Sequence, residues 1–316
     1  LTLPPASEIQ NPGQRAMKPD GNSHGTEQRP EVVLLTGAST GLGLAIARLL
    51  LTTDYRVILT ARSESMNRFS QAGILENERV WLRPLNITHE AERRQVIAEA
   101  AGQWGGVDVL INNAGLAYRA VVEHVNETER RAQLDVNFRA PMELIRLVLP
   151  HMRARRAGRI LNISSVGGMM AMPTMGIYSA SKFALEGMTE ALWYEVRPWN
   201  IKVSLVQPGF IRSRSFERTR YTDLSEPASR HEDDPYFTHY QHMGRFIARC
   251  MERATATPEA VARVVLRTMR RRNPPLRVAG TFDARFFGLL RRWLPRRLYH
   301  GLLYRGLPAV KEWGER

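Results

Sequence analysis

The sequence predicts an α/β chain: a doubly wound parallel sheet with helices on both faces, in three layers. Three observations predict it. Short runs of Val, Ile and Leu recur with little apolar–polar alternation, as expected for strands buried on both faces. Stretches of helical periodicity separate these runs. A glycine-rich turn joins the first run directly to the first helical stretch.

Residues 32–36, VVLLT, form the first strand, and LGLAIARLLL after the glycine turn forms the first helix. RVILT at 56–60, residues 79–83, VDVLI at 107–111, RILNIS at 159–164 and IKVSLV at 201–206 supply further strands. Helical patterns fall between them at 90–103, 127–153 and 177–197, and Pro198 closes the last one. Strand and helix thus alternate, the signature of a parallel sheet covered by helices. After Pro208-Gly209 the pattern lapses. Residues 210–257 read as an irregular charged segment dotted with Phe216, Tyr221, Tyr236, Phe237, Tyr240 and Phe246, expected to form a substrate lid. Thr257-Pro258-Glu259 then marks a helix start.

At 316 residues the chain has the mass for one large domain, placed at 31–280. Residues 1–30 are polar and lack the apolar core of a secretory signal, so they read as a disordered leader, with Met17 a candidate natural start. No apolar run reaches membrane-spanning length, which makes the cytoplasm the expected compartment. The single Cys250 excludes an intrachain disulfide and a cysteine-rich zinc site. His239 and His242 sit three apart without an acidic or cysteine pattern, so no metal is expected.

The net charge of +14 is uneven: residues 249–316 hold 16 Lys or Arg against five Asp or Glu. Residues 281–316 read as a basic amphipathic extension, and its stretch FDARFFGLLRRWLPRRLYHGLLYRGL carries six arginines after Ala284 and is interrupted by Pro295. Such a segment suits a membrane interface through 281–307, or packing onto the rest of the chain or a partner subunit. Nucleic acid is not an expected partner, because no reading module accompanies the charge.

The chemical signals begin in the turn TGASTGLG. Gly37, Gly41 and Gly43, with Ser39, Thr40 and Leu42 between them, sit after a strand and before a helix. Bare backbone and a helix N-terminus there suit a dinucleotide diphosphate. At the end of the second strand stands Ala61, then Arg62, where an NAD site would place a carboxylate for the ribose 2′-hydroxyl. A guanidinium instead favours a 2′-phosphate, hence NADP(H); a solvated surface arginine is the competing reading. In YSASK, Tyr178 and Lys182 lie four apart on one helix face, close enough for the cation to lower the phenol's pKa.

These residues, together with NNAG at 112–115, Asn137 in LDVNF, Ser165 in NISSVGG and PG at 208–209, resemble the short-chain dehydrogenase/reductase family over residues 30–280. The stretch from Ser165 to Gly187 is similar to the hydroxysteroid and retinol dehydrogenase branch. The resemblance implies a Rossmann-type domain and a catalytic tetrad of Asn137, Ser165, Tyr178 and Lys182. By the family's logic Tyr178 is general acid or base, Ser165 binds the substrate oxygen, Lys182 holds the nicotinamide ribose and Asn137 anchors a relay water. It also implies cofactor contacts from Asn113, Ala114, Gly115, Pro208, Gly209, Ile211 and Ser213, and a homodimer or homotetramer. Asn86 stands where the family often has the Asp that contacts adenine, and an amide there can still accept that bond.

Met169, Met170, Met172 and Met175 fall between Ser165 and Tyr178 and are expected in a pliable apolar pocket wall. With the aromatic lid they point to a hydrophobic alcohol or ketone, such as a steroid, retinoid or lipid. A reductase of small carbonyls, an epimerase or dehydratase, and a cofactor-sensing regulator without catalysis are the alternatives. Retention of both Tyr178 and Lys182 disfavours the regulator.

Overall fold

The computed structural model describes residues 29–213 and 219–314; the leader expected at 1–30 lies almost wholly outside them, as does Phe216. The strands are β1 (Val32–Leu35), β2 (Arg56–Ala61), β3 (Val80–Pro84), β4 (Val109–Asn112), β5 (Tyr118–Arg119), β6 (Gly158–Ile163), β7 (Ile201–Gln207), β8 (Arg220–Tyr221) and β9 (Arg277–Ala279). Seven of them form one sheet in the order β3-β2-β1-β4-β6-β7-β9, every neighbouring pair parallel. The small β5–β8 pair and the edge strand β9 escaped the sequence reading. They are two and three residues long, too short to show a period.

The helices are α1 (Gly41–Leu51), α2 (Asn67–Gln71), α3 (Glu90–Trp104), α4 (Glu127–Leu134), α5 (Ala140–Arg155), α6 (Gly176–Glu195), α7 (Ser225–Ala228), α8 (Phe237–Glu252), α9 (Pro258–Arg270), α10 (Phe282–Trp293) and α11 (Arg296–Arg305). Helices α1 and α9 cover one face of the sheet, through Ile46, Leu50, Val261, Val265 and Met269. Helices α3, α5 and α6 cover the other, through Val96, Trp104, Leu144, Val148 and Leu192. Leu34, Leu35, Ile58, Leu59, Leu110 and Ile111 are sealed between the layers. Each such side chain contributes about 1.5–3 kcal/mol by leaving water.

Two expectations are corrected. The helix expected at 127–153 is two helices joined by a π-turn at Asp135–Arg139. The segment 210–257 is not irregular throughout. It contains α8, which buries Tyr240, Met243 and Ile247 at helical spacing; the surrounding histidines and arginines hid that stripe. Other signals hold: Thr257 caps α9, its hydroxyl accepting from Ala260 N–H, and Pro295 separates α10 from α11. No helix among the described residues is long and apolar enough to cross a membrane.

Candidate active site

Strand order reverses at β1, whose neighbours β2 and β4 lead to opposite edges of the sheet. Open parallel sheets bind ligands in the crevice at such a reversal. Here a cleft of about 800 Å³ runs along the strand ends, from Arg62 at one side to Met251 at the other.

One half of the cleft is backbone. Gly37 holds φ at 66°, and a Cβ there would come within 2.8 Å of Ala114 Cα. A Cβ on Gly43 would collide with the Gly37 carbonyl and lie 2.6 Å from Asn113 Nδ2. The loop after β4 is therefore pressed against the glycine turn. Asn113 Nδ2 donates to the carbonyls of Thr36 (3.0 Å) and Gly37 (3.2 Å), while Thr36 Oγ1 accepts from Asn113 and Ala114 N–H. Helix α1 begins in this cradle with no side-chain cap and no acid in its first turn. Its N–H groups and positive dipole end fit a diphosphate.

Ser39, Thr40, Gly41 and Leu42 line this half of the cleft, as do Gly115, Pro208, Gly209 and Ile211. At the end of β2, Ala61 and Arg62 line it as expected, and Arg62 Nε sits 3.1 Å from Glu64. Arg68 on α2 joins the same wall, a contact that no sequence motif signalled. Asn86 also lines the cleft, and its Oδ1 accepts from both the N–H and the hydroxyl of Thr88.

The other half carries the titratable groups. Ser165 leaves β6 in extended backbone and caps the turn Val166–Gly168, its Oγ accepting from Gly167 N–H at 3.0 Å. Tyr178 and Lys182 follow on the first turns of α6. Burial pushes the Tyr178 phenol up from its ordinary value, and a hydrogen bond with Ser165 opposes that. Lys182 Nζ donates to Ile163 O at 2.9 Å and lies 6.0 Å from the tyrosine ring centre. Burial pulls its pKa down to about 8, with Glu186 opposing. The expected depression of the phenol by Lys182 is thus corrected. Desolvation dominates at both residues, and Ser165 is the group that favours the phenolate.

Asn137 sits in the π-turn and is buried behind the wall. Its Oδ1 accepts from Leu116 N–H (2.8 Å), and its Nδ2 donates to Leu116 O (2.8 Å) and Ser181 Oγ (3.0 Å). Its amide braces the chain beside Gly115 rather than facing the cleft. Such π-turns recur at functional sites.

Tyr118, Arg119, Met172, Met175, Phe210, Ile247 and Met251 complete the wall around Tyr178. Met169 and Met170 turn the other way, packing with Val166 against Phe287 and Leu303 of α10 and α11. The expectation for these two methionines is corrected; they seat the C-terminal helices. Arg119, 2 % exposed, was invisible to sequence reading because arginine ordinarily marks the surface.

The C-terminal extension is built into the site. Gly209 N–H donates to Thr281 Oγ1 and Phe210 N–H to Asp283 Oδ2, both at 2.8 Å. Leu307 and Trp313 join Met175, Met243 and Ile247 beneath α8.

The short chain dehydrogenase family matches residues 31–223. The chain is 35% identical to 3-ketodihydrosphingosine reductase of Bacteroides thetaiotaomicron, over 84% of this chain and 94% of that protein. It is 32% identical to human 17-beta-hydroxysteroid dehydrogenase type 1, over 82% of this chain and 80% of that one. A solved short-chain dehydrogenase from Streptomyces avermitilis superposes with a TM-score of 0.75 at 30% identity, covering 88% of this chain and 98% of its own. Further matching structures contain NAD in one case and NADP in others.

Proposed function

Since the chain belongs to the short-chain dehydrogenase/reductase family, with its Rossmann-type sheet, we propose that it is an NADP(H)-dependent oxidoreductase of hydrophobic alcohols or ketones. The observation that carries this reading is one cleft holding a diphosphate cradle at one end and the Ser165, Tyr178 and Lys182 side chains at the other.

A bound nicotinamide supplies or accepts the hydride, and its oxidised ring brings a positive charge that favours the phenolate. Ser165 and Tyr178 present two hydroxyls to the substrate oxygen. In reduction Tyr178 donates its proton to that oxygen; in oxidation it takes the proton back. Lys182, held by Ile163 O, keeps a cation beside the phenol. Asn137 fixes the backbone of Leu116, which lines the cleft.

Arg62, with Arg68 beside it, is our basis for NADP(H). Hydrogen bonds to charged groups contribute about 1.5–3 kcal/mol. Arg62→Ser is therefore expected to weaken NADPH binding by about 10- to 100-fold while NADH binding stays unchanged, read by fluorescence titration. Unchanged NADPH binding would assign Arg62 to the surface, and equal weakening of both cofactors would assign it to a part that they share.

Met172, Met175, Phe210, Ile247 and Met251 make the substrate end apolar. We take 210–257, including α8, as the lid, and a bulky lipophilic carbonyl as the substrate. The two relatives named above carry lipid and steroid substrates in their names, which supports the same class. A panel of ketones tests it: small polar carbonyls turned over faster than lipophilic ones would sink the assignment.

For partners we propose a membrane surface and a second copy of the chain. On α10 the apolar residues Phe282, Phe286, Leu289 and Trp293 form an outward stripe, all exposed, with Arg285 and Arg292 beside it and Arg296 just beyond. Basic amphipathic faces of this kind lie in anionic lipid interfaces. Phe286→Glu combined with Trp293→Glu should abolish flotation with phosphatidylglycerol vesicles and leave turnover of a soluble ketone intact. Flotation equal to wild type would remove the membrane from the account.

A further inference from the structure

One turn beyond Lys182 on α6 stands Glu186, a carboxylate that the reaction as drawn does not use. It is 6 % exposed, yet three segments converge on it. Ser164 Oγ, next to Ser165, donates to Oε1 at 2.7 Å. Gln207 Nε2, next to Pro208-Gly209, donates to Oε1 and Oε2 at 2.8 and 2.9 Å. Arg277 Nε of β9 lies 3.4 Å from Oε2, and Arg277 Nη2 reaches Glu190 at 2.7 Å. A Cβ on Gly168 would also lie 2.6 Å from Oε1, so the turn that Ser165 caps is pressed against this carboxylate.

A buried carboxylate is costly unless hydrogen-bonded and paired. Four donor contacts here satisfy it. Three of the four contacts, from Ser164 Oγ and Gln207 Nε2, come from residues that abut the machinery: the strand end before Ser165 and the strand end before the cofactor turn. The charged and titratable groups near Lys182 are few. Tyr178 and Glu186 share its helix, Arg277 and Glu190 lie beyond Glu186, and Asp135 of the adjoining π-turn pairs with Arg139 at 3.2 Å. Glu186 is the acid that acts on Lys182.

We propose that Glu186 is a positioning residue of this site: it clamps the Ser165 strand end and the Pro208-Gly209 turn to the catalytic helix, and it keeps Lys182 charged. The proposal rests on the oxidoreductase reading above. Burial draws Lys182 down to about 8, so the rate of reduction falls above that pH as the ammonium is lost. Removing the carboxylate charge lowers the lysine further, and removing the Arg277 charge raises it.

The test is the pH profile of NADPH-dependent ketone reduction in three variants beside wild type. Glu186→Gln should lower the rate at every pH as the clamp loosens, and should also move the alkaline limb to lower pH by about one unit, a further tenfold loss at a fixed pH on that limb. Glu186→Asp, which keeps the charge, should leave the limb in place while lowering the rate. Arg277→Met should move the limb upward, and it carries the test alone if the Gln variant does not fold. A Gln limb that stays at the wild-type pH, or an Arg277→Met limb that does not move, overturns the proposal. Failure of the oxidoreductase reading looks different: no turnover in wild type. NADPH binding against pH, followed by tryptophan quenching, then reads the same displacement of Lys182 without turnover.

Discussion

Tyr178→Phe is expected to lower kcat/KM for ketone reduction by about 10²- to 10⁴-fold, the range that a positioned general acid supplies. NADPH binding should be unchanged, because the diphosphate cradle lies at the other end of the cleft. The fold should also survive. The ring keeps its packing, and Ser165 Oγ still accepts from Gly167 N–H, so no buried hydroxyl is orphaned. Stability should then change by no more than about 1 kcal/mol. Steady-state kinetics, fluorescence titration and thermal unfolding separate these three statements. Wild-type rates in the variant would remove the phenol from the proton path.

Gly43→Ala carries the second large effect, through the cofactor. The added methyl has no room: it meets the Gly37 carbonyl on one side and Asn113 Nδ2 on the other. Backbone cannot yield as the tip of a long side chain can. The turn must open, and overpacking of this kind costs about 1–3 kcal/mol of stability. Opening the turn also withdraws N–H groups from the diphosphate. Losing two charge-assisted hydrogen bonds, at about 1.5–3 kcal/mol each, predicts NADPH binding weaker by about 10²- to 10⁴-fold. Gly41→Ala is the control for space. Nothing lies within 4 Å of its Cβ, though its φ of 56° still makes the substitution strained. A Gly43 variant that binds NADPH as wild type does would contradict the close-approach argument.

Much of this site was legible in the sequence because its parts are local. TGASTGLG is a turn whose glycines are adjacent in the chain, and Tyr178 and Lys182 share one helix turn, so spacing alone brought each set together. Arg62 was legible for the same reason, standing directly after a strand. The rest depends on contacts between distant segments. Glu186 gathers Ser164, Gln207 and Arg277 across separations of 21 to 91 residues, and no local pattern announces that. Thr281 and Asp283 hold the Pro208-Gly209 turn from what reads as a separate extension. Met169 and Met170 were assigned to the pocket by proximity in sequence, but they stand three and two residues before Met172 and pack against Phe287 and Leu303 instead. The phenol's pKa was misjudged because spacing shows a neighbouring charge and does not show burial, and burial is the larger influence here.

The measurement that bears most directly on the account is deuteride transfer. Wild-type protein is incubated with NADPH deuterated at the transferable position of the nicotinamide and a long-chain or steroidal ketone, and the alcohol is analysed by mass spectrometry. The account predicts one deuterium on the carbinol carbon in wild type and only trace product with Tyr178→Phe. Unlabelled alcohol, or equal labelled product from both proteins, would contradict it.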